Sequence, residues 1–124
     1  MGSDKRASVK SFLSTAKYAI ARGSEAAPRW FLSTTRQKNV DTIAHLGLTL
    51  ADVENEILSL SVDDFSEGPL RDKQVPGDLW VFGKMIRGRE VYIKLKLSGD
   101  EKRPDIFVLS FHFAESPIKY LFRK

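Results

Sequence analysis

The chain contains no cysteine, and its 124 residues include only two histidines, His45 and His112. Without cysteine there is no disulfide framework, no thiolate metal site and no cysteine nucleophile. Two histidines alone are a poor basis for a zinc centre. No run of about 18 apolar residues occurs, so no membrane-spanning helix is expected. Met1 to Lys10 is polar and charged with no apolar segment behind it, and a secretory signal is not expected either. There is no glycine-rich phosphate loop opening a helix and no nucleophile elbow. These absences point to a cytoplasmic chain that works without a metal or other cofactor. The adjacent Asp63 and Asp64 read as a helix-end or turn pair, since a magnesium site needs further carboxylates that the sequence does not place.

What is present is ordinary globular material. Hydrophobic residues make up 42% and charged residues 29%, and a chain of this length buries roughly two-thirds of its unfolded surface. One domain over residues 1–124 is expected, with 1–8 as a flexible N-terminal segment. The net charge is +4, which favours anionic partners. Its distribution is uneven. Residues 1–39 carry eight Lys/Arg against two acids, residues 40–70 carry seven acids and no Lys or Arg, and residues 71–103 carry nine Lys/Arg against five acids.

Val9, Phe12, Leu13, Ala16 and Ile20 recur at helical spacing, and Gly23 is a stop signal for that helix. Trp30 to Leu32 reads as a short extended piece. Asn39 is expected as an N-cap, with Val40, Ile43 and Ala44 on the buried face of a helix that Gly47 closes. Thr49 and Asp52 form a capping-box pattern, and Leu50, Val53, Ile57 and Leu60 are the expected buried stripe of the following helix. One further turn is expected at Ser61 to Phe65, then a polar loop bracketed by Gly68-Pro69 and Pro76-Gly77. Strands follow at 79–86, 91–97 and 106–113, the first two joined by Arg87-Gly88. Ile118 to Phe122 is expected to cover an edge. The fold class is α+β, with N-terminal helices packed on one face of a C-terminal antiparallel sheet.

Alternation assigns the faces. Val91, Ile93, Leu95 and Leu97 face the core, so Tyr92, Lys94 and Lys96 face away from it. In the last strand Phe107, Leu109, Phe111 and Phe113 are the expected core positions, which sends Ile106, Val108, Ser110 and His112 outward. A two-residue turn at Arg87-Gly88 pairs Val81 with Lys94 and Gly83 with Tyr92, and Gly83 leaves room above the phenol. Tyr92 is expected opposite Ser110 or His112. Trp80 and Phe82 are expected in the core.

A phenol, ammonium groups, a hydroxyl and an imidazole on one face suit metal-free RNA cleavage. There the 2′-OH attacks the adjacent phosphate. The step needs a base, an acid for the leaving 5′-oxygen and cations for the phosphorane charge. Histidine ordinarily titrates near neutrality and can be base or acid. Tyr92 can donate or position a proton, and Lys94 and Lys96 can hold phosphate. Arg36 and Lys38, just before the expected N-cap, are further candidates for phosphate contact. Each feature has a plainer reading: alternating lysines protect a solvated strand, tyrosine is a β-former, and a lone histidine at a strand end is often structural.

The run Arg36-x-Lys38-Asn39, Leu46-Gly47-Leu48-Thr49, Asp64-x3-Gly68-Pro69-x2-Asp72, Pro76-Gly77-x2-Trp80-x-Phe82-Gly83-Lys84, Val91-Tyr92-Ile93-Lys94-Leu95-Lys96 and Leu109-Ser110-Phe111-His112 resembles the MqsR family of toxin–antitoxin toxins, in its Gram-positive-type branch. The resemblance covers roughly residues 9–122. It implies a RelE-like fold, metal-independent cleavage of mRNA, and a cognate DNA-binding antitoxin protein from the same operon. It assigns Tyr92 and Lys94 to the family's Val-Tyr-x-Lys strand and places His112 where the family carries a functional lysine. It departs from the family at Glu67, where a catalytic lysine is expected, and at Val81, where a glutamine is expected. Arg71, Lys73 or Lys84 are the cations placed to compensate. The site expected on these grounds has His112, Tyr92 and Lys94 as catalytic residues, with Lys96, Lys84, Arg71, Lys73, Arg36 and Lys38 on the RNA. Two other readings stay open: a non-catalytic RNA- or ribosome-binding module on the same face, and a protein-interaction domain whose acidic segment, 40–67, docks a basic partner.

Overall fold

The computed structural model describes residues 2–24, 26–74, 77–99 and 102–123. Helix α1, Gly2–Arg22, lies on the core side of the sheet with Val9, Phe12, Leu13, Ala16 and Ile20 buried. The segment 2–8, expected as a flexible arm, is instead the first two turns of this helix. It is tied down by Lys5, whose ammonium donates to the Gly68 carbonyl (2.7 Å), and by Arg6 over the Phe122 ring. Strand β1, Trp30–Leu32, precedes helices α2, Gln37–Leu46, and α3, Leu50–Leu58. A single 3-10 turn, Val62–Asp64, leads into β2, Phe65–Arg71, followed by β3, Asp78–Ile86, β4, Arg89–Gly99, and β5, Pro104–Phe113.

The sheet order is β1-β5-β4-β3-β2. All neighbours are antiparallel except β1, which runs parallel to β5, so the sheet is mixed and the α+β arrangement holds. Strand β2 runs from the end of the expected turn at Phe65 into the start of the expected polar loop. Its irregular register, shifted twice against β3, explains why no clean alternation announces it. The β3–β4 hairpin turns on Arg87 (φ 51°) and Gly88 (φ 83°). Positive φ at both central residues matches the right-handed twist of the strands, and Arg87 is held there by donating to the Leu46 carbonyl. The turn sets Val81 opposite Lys94 and Gly83 opposite Tyr92, as expected. No helix among the described residues is long and apolar enough to cross a membrane.

Strand β5 departs most from simple alternation. Lys94 pairs with Ser110 but Leu95 pairs with Val108, so Leu109 is an extra residue, a β-bulge. A bulge reverses which face later residues occupy. Ile106 and Val108 are therefore fully buried in the core, as is Phe111 after the bulge. Phe107 and Leu109, expected in the core, are only half-buried and are absent from the core cluster. Ser110 and His112 face outward, the latter opposite Tyr92.

Helix α2 explains how the bulge is held. Asn39 does not cap this helix, whose N-cap is Arg36. It sits inside the helix, fully buried, and its carboxamide donates to the Ser33 (3.0 Å) and Leu109 (3.1 Å) carbonyls and accepts from the Phe111 amide (2.9 Å). One turn on, the Thr42 hydroxyl accepts from the Phe113 amide (3.1 Å). Strand β1 pairs with β5 only as far as Val108, and these two side chains serve the backbone beyond it. The buried face of α2 is accordingly Asn39, Thr42 and Leu46, while Val40 and Ala44 are exposed. Helix α3 has the expected capping box: Thr49 Oγ1 accepts from the Asp52 amide and Asp52 accepts from the Thr49 amide. Those hydrogen bonds hold the Asp52 carboxyl below its usual range. Val53, Ile57 and Leu60 are buried, but Leu50 is 61% exposed because, as the first helical residue, it lies beyond the packed stripe.

The C-terminal segment runs as a strap over the outer face. Ile118 and Tyr120 reach Glu90 through a backbone amide (3.1 Å) and the phenol (2.7 Å), and the Leu121 amide donates to the Phe65 carbonyl at the β2 edge. Gly83 does not leave open space. A side chain there would meet Ile118 Cδ1 and the Tyr120 hydroxyl at 2.6 Å, so the missing Cβ admits the strap.

Two outcomes test this architecture. Asn39→Ala strands three backbone groups, one buried and two partly buried, and urea unfolding followed by circular dichroism should show a loss of roughly 3 kcal/mol. A loss under about 1 kcal/mol would mean that the bulge is satisfied some other way. The Tyr120 phenol is pushed up to about 12 from 10.0, first by burial and then by its bond to Glu90 and that carboxylate's charge. The folded value lies above the unfolded one, so this stabilisation is fully present below pH 10 and is lost as pH rises through 12. Urea midpoints should fall over that window in the wild-type chain and fall less in Tyr120→Phe; equal slopes would sink the assignment.

Candidate functional site

Three strands and the strap bound a cleft of about 530 Å³ on the outer face. Strand β4 supplies Tyr92 and Lys94, β5 supplies Ser110 and His112, and β2 supplies Ser66 and Glu67. Arg36 at the start of α2 and Glu115 to Lys119 of the strap complete the lining. Tyr92 and His112 are cross-strand partners whose rings stack, with centroids 5.3 Å apart and planes within 17°. The Lys94 ammonium lies 5.8 Å from the centre of the Tyr92 ring. One Arg36 guanidinium nitrogen is 3.3 Å from Ser110 Oγ, as donor to the hydroxyl. The bulge and the hairpin together thus bring Tyr92, Lys94, Ser110 and His112 side by side.

Histidine chemistry here is set by one contact. His112 Nδ1 is 3.0 Å from the Phe113 carbonyl. A carbonyl only accepts, so Nδ1 carries the proton, and in the neutral ring Nε2 is the basic nitrogen. The Tyr92 phenol is raised above its ordinary value by burial and by the nearby Glu67 carboxylate, with Arg36 pulling the other way. Both effects favour the neutral phenol, which can donate a proton. Glu115 is held below the usual carboxylate range mainly by its hydrogen bond to Lys38, and His112 adds to the effect. Positive charge from Arg36, Lys94 and Lys119 meets negative charge from Glu67 and Glu115 around the same opening.

The other expected RNA contacts are dispersed. Lys96 shares the outer face, but it is buried and ion-paired with Asp72 (3.1 Å), with Gly77 packed against its stem. It pins the turn after β2 and does not line the cleft. Lys84 pairs opposite Val91 on the helix side of the sheet, bound to Glu56 (3.4 Å) and to the Ser59 hydroxyl of the α3 C-cap. Arg71, at the end of β2, and Lys73, in the turn beyond it, are exposed and outside the cleft lining. Lys38 is exposed and paired with Glu115 (2.8 Å) at the rim. Of the six expected RNA-contacting cations, only Arg36 lines the cleft itself.

Val81, where the family resemblance expects glutamine, is buried between Glu67 and Lys94 and contributes no polar group. Glu67 is exposed on the cleft wall. The strap's part in the cleft was hidden in the sequence. Only Gly83, a residue without Cβ in a strand, hinted that another chain segment must come close. Among the described residues no group of three or more His, Asp or Glu side chains is placed to hold a metal ion.

Comparison with protein-family models, with curated proteins and with solved structures finds no match in any of the three, which leaves the residues of this cleft as the ground for a functional reading.

Proposed function

We infer that the cleft is the centre of a metal-independent endoribonuclease, acting in the cytoplasm on mRNA as the toxin of a toxin–antitoxin pair. The observation that carries this is the Tyr92–His112 stack, with Lys94 and Arg36 lining the same opening. The resemblance to MqsR toxins supports the same chemistry. It also supplies the antitoxin, a DNA-binding protein from the same operon.

The proposed reaction is a transfer within the RNA. His112 Nε2 takes the proton of a 2′-OH as that oxygen bonds to the adjacent phosphorus. The bond from phosphorus to the 5′-oxygen breaks, and the departing oxygen takes a proton from Tyr92. The products are a 2′,3′-cyclic phosphate and a free 5′-OH. Lys94 and Arg36 stabilise the charge that builds on the phosphorane oxygens, where preorganised cations act most strongly. Glu67 has an intelligible part in this scheme even though it stands where a lysine is expected. Its charge adds to burial in favouring the protonated phenol. Placing base and acid in contact across two strands fixes their separation by sheet geometry.

The test is incubation of the purified chain with a defined mRNA in excess EDTA, followed by end analysis of the fragments. Discrete cuts with cyclic phosphate ends are expected, slowed at least about 100-fold in His112→Ala and about 10-fold or more in Lys94→Ala. Cleavage intact in His112→Ala would refute the assignment. Salt-sensitive binding without scission, with or without ribosomes, would make the chain a binding module instead.

A further inference from the structure

A second feature of the outer face has no part in the cleft. Phe31 of β1 and Phe107 of β5 are register partners in the parallel pair, and their rings stack with centroids 5.2 Å apart. Phe31 is 39% exposed and Phe107 half-buried. Their neighbours Trp30, Leu32, Ile106 and Val108 all turn to the core, so the two rings stand on the opposite face, the face that carries Tyr92 and His112. This placement is a consequence of the bulge, since a regular β5 could not direct both Phe107 and His112 outward. Such an aromatic pair adds little to the core, and its position calls for another explanation.

A continuous strip joins this pair to the cleft. From Phe31 the chain passes through Ser33, Thr34 and Thr35 to Arg36, whose guanidinium meets Ser110 at the cleft wall. Ser33 and Thr35 hydroxyls lie 3.3 Å apart and are accessible. At the far end Arg29 and Asp105 pair with each other (3.0 Å). Phe107 and His112 pair with Lys96 and Tyr92, four steps apart on β4, about 13 Å at the rise of a strand, or roughly two to three nucleotides of an extended single strand.

We propose that Phe31 and Phe107 form a base-stacking platform for single-stranded RNA, which receives a nucleobase two to three nucleotides from the phosphate held in the cleft. Aromatic rings on an open sheet face stack unpaired bases regardless of base identity, while cations and hydroxyls track the backbone. Here the rings, the hydroxyls of 33–35 and Arg36 follow one another in that order. The proposal rests on the RNA reading of the cleft and adds a site that selects unpaired, extended RNA over duplex.

The experiment uses an uncleavable oligonucleotide, with a 2′-deoxy residue at the target position, and 2-aminopurine placed at successive positions. In the wild-type chain its fluorescence should be quenched by stacking at one or two positions removed from the cleft. Phe31→Leu and Phe107→Leu keep apolar cover without an aromatic ring. They should abolish that quench and weaken binding roughly tenfold, with thermal unfolding and cleavage of a dinucleotide substrate unchanged. Quenching or affinity that survives both substitutions would overturn the platform. So would its absence in a wild-type chain that still cuts RNA, and in that case the nuclease assignment would stand. Quenching lost in the variants of a chain that never cuts would support the platform and refute the nuclease; no RNA binding at all would remove both.

Discussion

Backbone polarity is the constraint on which the rest of this structure turns. Strand β5 reaches well past the three residues that β1 can pair with, and amide and carbonyl groups beyond that point are buried against α2. A buried unpaired peptide group is costly. The Asn39 carboxamide, which can donate twice and accept, meets two such groups, the Leu109 carbonyl and the Phe111 amide, together with the Ser33 carbonyl after β1, and Thr42 meets a third on β5, the Phe113 amide. Helix α2 thus serves as a surrogate strand through two side chains. Because Asn39 holds the Leu109 carbonyl and the Phe111 amide, the bulge is fixed, and the bulge decides which side chains of β5 turn to the outer face. Were β5 regular from Ile106 onward, Ser110 and His112 would follow Ile106 and Val108 into the core. The cleft exists because they do not.

That dependence also marks what could be read in the residues alone. Helix α1, the Thr49–Asp52 capping box, the Arg87-Gly88 hairpin and the alternation of β4 were all legible, because each is written in local spacing or in a turn requirement. So was the facing of Tyr92 and His112, though for an incomplete reason. The expected core set of Phe107, Leu109, Phe111 and Phe113 assumed one unbroken period, and only the half after the bulge obeys it. Nothing local marks Leu109 as extra. Its cause is Asn39, seventy residues earlier in the chain, read from sequence as a helix cap because asparagine is a favoured cap. Strand β2 was missed for a related reason, since its two register shifts erase the alternation that identifies strands.

Charge reads differently in space than along the chain. The basic run of residues 71–103 suggests a continuous cationic sheet, yet Lys84 is drawn to α3 by Glu56 and Lys96 is buried against Asp72. Sheet parity separates Lys84 from the outer face, and burial requires a partner for Lys96. What remains in the cleft is compact: Lys94 and Arg36 beside a stacked phenol and imidazole, with Lys119, Glu67 and Glu115 around them. A few preorganised charges near a proton-transfer pair suit catalysis better than a broad basic surface, which would give affinity without chemistry.

Whether this cleft receives the scissile phosphate can be read by nuclear magnetic resonance. The isotopically labelled chain would be titrated with an RNA oligonucleotide made uncleavable by a 2′-deoxy residue, and perturbed resonances assigned. The largest shifts are expected at Tyr92, Lys94, Ser110 and the His112 ring, with smaller ones along the strip toward Phe31 and Phe107. Shifts concentrated on the acidic helix α3, or no shifts in the cleft under conditions where the RNA is bound, would contradict that placement of the phosphate.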